Sequence, residues 1–294
     1  MSMSKYSIKD LEQITGIKAH TIRIWEKRYS IIQPERTKTN IRTYSDEDLK
    51  KLLNISMLNA SGIKISRLAE MDVVDLEANV LKLSRVNKLE DTSIEKLILA
   101  TLNFDEDLFE STLSRSVIEK GMEETTAQIL FPFFHRVGIL WQVGSISPAQ
   151  EHFISNLIRQ KLFAAIDSVS GFKKEGAHKI IFYLPEGELH EISILFYTYI
   201  AKKNGMQTLY LGQDLPFSEL EKVIKDYQPN SIFTSFITPT TVDQLNQYLQ
   251  NLKSSFAKVD LYITGMQLQQ QGVIFPKGMK TITSMKDFKQ AILV

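Results

Sequence analysis

Apolar residues in the first seventy or so positions recur at helical spacing in short stretches, broken by glycine, proline and basic residues. In YSIKDLEQITGIKAHTIRIWEKRY, Ile8, Leu11 and Ile14 share one helical face behind Ser7, a favoured N-cap, and Gly16 ends the run. Lys18 to Tyr29 predicts a second helix with Ile22 and Trp25 inward and His20, Thr21, Arg23, Lys27 and Arg28 outward. A basic loop with Pro34, Arg36, Lys38, Asn40, Arg42 and Tyr44 follows. Ser45 with Asp48 then forms a capping-box signal for a helix from Asp46 to about Asn59, and a shorter helix starts at Ile65. From about residue 76 the pattern becomes uniformly amphipathic: LEANVLKLSRVNK, SIEKLILATLNFDEDLFESTLSRSVIEKG, TTAQILFPFFHRVGILWQVG and SPAQEHFISNLIRQKLFAAIDSV predict a bundle of four to five helices. Beyond residue 176 the period changes again. KIIFYLP, TLYLG, SIFTSFI and KVDLYITG are short apolar strand candidates alternating with helices, which predicts a parallel sheet covered on both faces.

The expected architecture is therefore multidomain α and α/β: a winged helix-turn-helix over residues 1–75, a helical bundle over 76–175 and a flavodoxin-like, doubly wound parallel sheet over 176–294. At 294 residues and 43 % hydrophobic composition the chain is long enough for more than one core. The absence of cysteine excludes disulfides and thiolate metal sites and fits a reducing cytoplasm. No signal-like N-terminus and no apolar run of roughly 18 residues is present, so a cytoplasmic protein without a membrane partner is expected.

Charge adds a distinction that hydropathy does not. Residues 1–45 carry nine Lys/Arg against four Asp/Glu, a net of +5, whereas the whole chain nets +1 and the remainder therefore −4. A basic head on a mildly acidic body points to an anionic partner for the head, double-stranded DNA in this layout. The early outward residues of the second helix, His20, Thr21 and Arg23, are placed to meet base edges, and Lys27, Arg28, Arg36, Lys38 and Arg42 to meet phosphates. A single helix pair of this kind is most often generic packing. A basic wing directly after it turns the balance toward DNA.

Two further groups stand out. Trp141 ends one predicted helix, and Glu151 and His152 begin the next behind Ser147 and Pro148, a favoured N-terminal arrangement, so a short hairpin can bring all three to one side of the bundle. Taken alone, the pattern is better explained by Trp141 as core, Glu151 as a helix-start charge and His152 as a locally paired polar group. In the last domain ligands are expected at the carboxyl ends of the strands. Those ends are LPEGELHEIS, LGQDLP, SFITPTT and TGMQ, and His190 stands just after the first of them. With five histidines, no cysteine and no glycine-rich phosphate loop, the chain shows no catalytic constellation by spacing, and a non-enzymatic protein is expected.

The head, with IRIWEKRY and RTYSDEDL, resembles the winged helix-turn-helix of the MerR regulators over about seventy residues. In that family the wing Arg and Tyr contact the DNA backbone, which the resemblance carries to Arg42 and Tyr44. Taken with PEGELHEIS, LGQDLP, SFITPTT, ITGMQ and the Trp141 to Glu151-His152 spacing, nearly the whole chain is similar to the cobalamin-dependent, light-responsive MerR-family repressors. The resemblance implies a cobalamin cofactor, adenosylcobalamin foremost, with His190 as the lower axial ligand of cobalt and Glu188 beside it. It implies further contacts from Ser193, Thr234, Thr238 and Gly265, and Trp141, Glu151 and His152 around the upper face. Three positions depart from the pattern. Ser193 stands for a motif glycine, Met266 for the second glycine of a Gly-Gly pair, and Gln142 for a histidine that ligates cobalt after photolysis, so a bis-histidine photoproduct formed through that position is not expected. The function implied is a corrinoid-sensing DNA-binding regulator acting as a homodimer or homotetramer. The alternative is the same architecture with a degenerate corrinoid site, working without ligand or under a protein antagonist. A cobalamin carrier or sensor with no operator is a third class and requires a DNA-inert head.

Overall fold

A computed structural model describes residues 6–36, 40–76, 78–79, 93–142, 146–171 and 176–292. The chain forms two compact units, Met1–Ser155 and Asn156–Val294.

The first unit opens with α1 (Ile8–Thr15) and α2 (Ala19–Tyr29). Ser7 and Asp10 make a reciprocal capping box, and Gly16 closes α1 at a φ of 73°, a left-handed turn that glycine adopts without strain. Leu11, Ile14, Ile22 and Trp25 are buried, as their spacing requires. The wing is a two-stranded antiparallel ribbon, β1 (Glu35–Arg36) against β2 (Arg42–Thr43). Tyr6 extends it by a bridge to Tyr44, with its backbone N–H donating to the Tyr44 carbonyl at 2.9 Å. Then come α3 (Asp46–Ala60), capped by Ser45 and Asp48, and the short α4 (Ile65–Ala69).

The bundle contributes α5 (Ser93–Asn103), α6 (Glu106–Thr125), a π-helical turn over Thr126–Leu130, α7 (Phe131–Gln142) and α8 (Pro148–Ser168), whose last turns belong to the second unit. The run from Ser93 divides where Phe104 takes a φ of 53° and Asp105 caps α6 by accepting from Leu108 N–H at 2.9 Å. Most of the helix expected from LEANVLKLSRVNK lies outside the described residues. Within this unit α1 packs on α7 and α3 on α5. Lys50 Nζ in α3 donates to Asn103 Oδ1 at 3.0 Å, and Arg136 of α7 pairs with the buried Glu95 of α5 at 2.5 Å.

The second unit holds a parallel five-stranded sheet of β3 (Lys179–Pro185), β4 (Gln207–Leu215), β5 (Ser231–Ser235), β6 (Asp260–Thr264) and β7 (Met279–Thr281), in the order β4-β3-β5-β6-β7. The covering helices are α9 (Ile192–Lys203), α10 (Phe217–Tyr227), α11 (Val242–Ser255) and α12 (Met285–Ile292). Alternation along the strands divides the core. Phe182 and Phe233 join Tyr197 and Phe288 in an aromatic cluster, whereas Ile181, Tyr183, Ile232 and Ile263 pack with Leu245, Leu249 and Phe256. Each fully buried phenylalanine stabilises the fold by roughly 1.5–3 kcal/mol. The strand order reverses between β3 and β5, and that switch point at the carboxyl ends is where such sheets bind ligands. Among the described residues no helix is long and apolar enough to cross a membrane.

Candidate functional site

The loop leaving β3 carries Glu188 and His190, and the loop leaving β5 carries Ile237 and Thr238, one on each side of the switch point. Glu188 is 4 % exposed and His190's side chain 53 %. The Glu188 carboxylate receives a converging set of donors. His190 Nδ1 lies 2.6 Å from Oε1, Thr238 Oγ1 donates to Oε1 at 2.9 Å, and the backbone N–H groups of Ile237 and Thr238 each donate to Oε2 at 2.6 Å. The backbone N–H of His190 also reaches Oε1, at 3.0 Å. Burial pushes the Glu188 carboxyl up, but hydrogen bonds from the His190 ring, Thr238, the His190 backbone and Ile237 outweigh it and bring the pKa down to about 2. Ionised at neutral pH, Glu188 only accepts. Nδ1 of His190 is therefore protonated, and in the neutral form of the ring Nε2 carries the lone pair.

The β5 loop is held from behind. Gly265, with φ at 115°, leads into a 3₁₀ turn (Met266–Gln269), and a Cβ built on it would fall 2.2 Å from the Phe236 carbonyl oxygen, so only glycine lets the two loops meet. Gln267 adds a side-chain bond from Nε2 to the Ile237 carbonyl at 2.8 Å. Neither Ile237 nor Gln267 was legible as a site residue, because one acts through its backbone and the other is a surface-type side chain.

Ser193, Thr234 and Met266 belong to the same unit as this centre. Ser193 is half-buried and its hydroxyl donates to Ser235 Oγ at 3.3 Å, beneath the edge. Thr234 is buried in β5, where strand alternation turns it into the core on the side of Tyr183, and Thr238 supplies the hydroxyl on Glu188. Met266 is exposed. In the first unit Trp141 is 49 % exposed at the end of α7, which sets aside its reading as core. Ser147 caps α8, its Oγ accepting from Gln150 N–H at 3.3 Å. In the next turn Glu151 Oε2 pairs with His152 Nδ1 at 3.2 Å and Glu151 Oε1 accepts from Ser155 Oγ at 2.6 Å, leaving the His152 side chain 74 % exposed. The side chain of Gln142 lies outside the described residues. No cluster of three or more His, Asp or Glu able to hold a bare metal ion occurs among the described residues.

On the head, His20, Arg23, Lys27 and Arg28 are exposed along α2 and Thr21 is half-buried beside His20. Arg36 is exposed in the wing with Nη1 donating to Asn40 Oδ1 at 2.7 Å. Lys38 lies outside the described residues. Arg42 is partly exposed and pairs through Nε with Glu26 at 3.1 Å. Tyr44 requires a correction. It is 1 % exposed, and its hydroxyl donates to Glu26 Oε2 at 3.3 Å, so it cannot reach a phosphate in this conformation. Burial, then the charge and hydrogen bond of Glu26, push the Tyr44 phenol up to about 12, which keeps it a donor. Glu26 thereby ties Arg42 and Tyr44 of the wing to α2.

Comparison with known proteins accords with both halves. Residues 6–72 match the family of MerR HTH family regulatory proteins, and residues 93–165 match the B12 binding domain family. The HTH-type transcriptional repressor CarH of Myxococcus xanthus is 23 % identical over 264 residues, 88 % of this chain and 87 % of that protein. The HTH-type transcriptional repressor CarA of the same organism is 22 % identical over 261 residues, covering 88 % and 86 %. Among solved structures, the monomethylamine corrinoid protein of Methanosarcina barkeri shares the fold over 67 % of this chain and 96 % of its own, with a TM-score of 0.52 at 17 % identity. The chain thus carries a MerR-type helix-turn-helix and a B12-binding domain and is homologous to the two repressors.

Proposed function

We propose that this protein, a MerR-type head joined to a B12-binding domain, is a DNA-binding transcription regulator whose C-terminal module senses a corrinoid and couples it to oligomerisation and operator binding. Residues 1–75 form the DNA reader, 76–175 the upper cap and 176–294 the lower binding face, and no enzymatic step is assigned. The observation that carries this reading is the exposed His190 imidazole at the switch point, its Nδ1–H fixed by a buried, ionised carboxylate. A carboxylate-oriented neutral imidazole is a strong ligand for a transition metal, and the outer partner fixes its tautomer. The residues present fit a cobalamin at this position. His190 would hold the cobalt, Glu188 and Thr238 would hold His190, and Gly265 leaves the edge free of a side chain. Trp141, Glu151 and His152 are the cofactor contacts expected of the helical domain. Bound cobalamin, adenosylcobalamin being the form expected, would supply a cobalt whose ligands can exchange. The chain's own groups supply the orientation.

For the head, His20, Thr21 and Arg23 read bases and Lys27, Arg28, Arg36, Lys38 and Arg42 bind phosphates, on a homodimer or homotetramer that presents paired heads to two half-sites. A second reading, a regulator of the same architecture that has lost its corrinoid and answers to a protein antagonist, is favoured by the Ser193–Ser235 hydroxyl pair where the resembling motif has glycine. Incubation with adenosylcobalamin in the dark, removal of free ligand and an absorption spectrum separate the two. Retained corrinoid with a base-off, His-on spectrum that disappears in His190→Ala is the expected result. A spectrum free of corrinoid, also after incubation with methyl- and hydroxocobalamin, contradicts the sensor and leaves the second reading.

A further inference from the structure

His190 lies between two buried carboxylates in sequence, and only Glu188 touches its ring. The other, Glu191, is also 4 % exposed and stands at the start of α9, where its carbonyl accepts the helix's first hydrogen bond from Leu195 at 2.9 Å. Its side chain turns away from His190 toward two elements of the second unit. Arg159 of α8 approaches Oε1 through Nε at 2.5 Å, as an ion pair whose N–H is not aligned for a directed hydrogen bond, and the Tyr210 hydroxyl of β4 donates to Oε2. One turn on from Arg159, Phe163 meets the Tyr210 ring edge-on, with centroids 6.2 Å apart. Burial, then the hydrogen bond to and the charge of Glu191, raise the Tyr210 phenol, so it remains a donor.

We propose that Glu191, clamped by Arg159 and Tyr210, is a positioning residue for His190: it pins the backbone on the far side of the imidazole so that the ring meets Glu188 in one tautomer. The proposal rests on the reading of His190 as an axial ligand. The rest of the loop is tied down in the same manner. Gly187 N–H donates to Asp214 Oδ1 at 2.8 Å, Asp214 N–H donates to the Glu188 carbonyl at 3.3 Å, and Gln213 Nε2 donates to the Leu189 carbonyl. Each of these contacts comes from β4, so strand and loop form one frame. Glu191, like Glu188, engages the loop through a buried carboxylate, and its pairing with Arg159 keeps a single geometry because any departure leaves it without its cation.

Two readouts test this on the full-length protein with Tyr210→Phe, Glu191→Gln and the cation-retaining Arg159→Lys. In the ligand-free protein, ¹⁵N shifts of the His190 ring report the tautomer. The wild type and Arg159→Lys are expected to show the Nδ1–H form, and Tyr210→Phe and Glu191→Gln a mixture. Spectral titration with hydroxocobalamin is expected to weaken roughly 10- to 100-fold in the same two variants, the usual effect of losing an outer partner of a metal ligand. Tyr210→Phe keeps the ring against Phe163, and an unfolding midpoint near wild type identifies it as folded. Wild-type tautomer and wild-type affinity in a folded Tyr210→Phe and in Glu191→Gln overturn the positioning role. A wild type that binds no hydroxocobalamin overturns the axial-ligand reading instead, while the ¹⁵N measurement still decides the clamp.

Discussion

Glu188 and Tyr44 show how a single polar side chain acts when water is excluded from it. Glu188 stays ionised although buried because several donors converge on it, so its depressed pKa is a property of the fold and is absent from the unfolded chain. Its pKa falls from 4.5 to about 2 on folding, and a depressed acid contributes stability that is complete above the unfolded value and is lost as pH drops through the folded one. The wild type should therefore lose stability between about pH 4.5 and pH 2 in excess of what Glu188→Gln loses over the same range. Urea unfolding at a series of pH values measures this, and parallel curves for the two proteins would contradict the assignment. Tyr44 carries the opposite lesson. The sequence supports its place in the wing, but whether a tyrosine faces solvent or core depends on what closes over it, here the bridge to Tyr6 and the Glu26 carboxylate.

Helices and strands were legible where a local signal fixed them. Ser45–Asp48 makes the capping box that its spacing suggests, Ser7 caps α1 as expected, with Asp10 completing a box there too, and α3 starts at Asp46 as expected. Because Ser45 Oγ accepts the Asp48 N–H at 3.1 Å, Ser45→Ala should lower stability by about 1 kcal/mol while Ser45→Asn stays near wild type. Denaturant midpoints at constant slope test this, and an unchanged midpoint in the alanine variant would show that the wing, not the cap, sets the start of the helix. Other elements were not legible for physical reasons. LGQDLP reads as a loop because Gly212 and Asp214 have φ of 77° and 56°, yet β4 runs through both as bulges and so braces the His190 loop. Strand β7 spans only Met279–Thr281 at the sheet edge with two of its three residues exposed, so no apolar alternation announces it. Glu188, His190 and Thr238 could be proposed from strand ends and resemblance. Glu191 could not, because Arg159 and Tyr210 are distant in sequence and meet it only in the fold.

At the scale of the molecule, the basic head and the B12-binding domain have separate chemistries that one chain joins. Arg28 and Arg36 are exposed on the recognition helix and the wing, so each substitution by alanine should reduce the salt slope of DNA binding by about one, and Arg42→Ala by a similar amount if its guanidinium leaves Glu26 for a phosphate. Unchanged slopes in all three would remove the wing and α2 from the interface. Joining the two chemistries matters only if the corrinoid distinguishes two states of the protein, since a ligand with equal affinity for both shifts nothing. The most direct measurement is the affinity of the full-length protein for one DNA site, selected from a random pool, at fixed salt in the dark, with and without saturating adenosylcobalamin, alongside His190→Ala. Adenosylcobalamin is expected to change the wild-type affinity and to leave that of His190→Ala unaltered. Equal affinities with and without the corrinoid in a wild type shown to hold it would contradict the account.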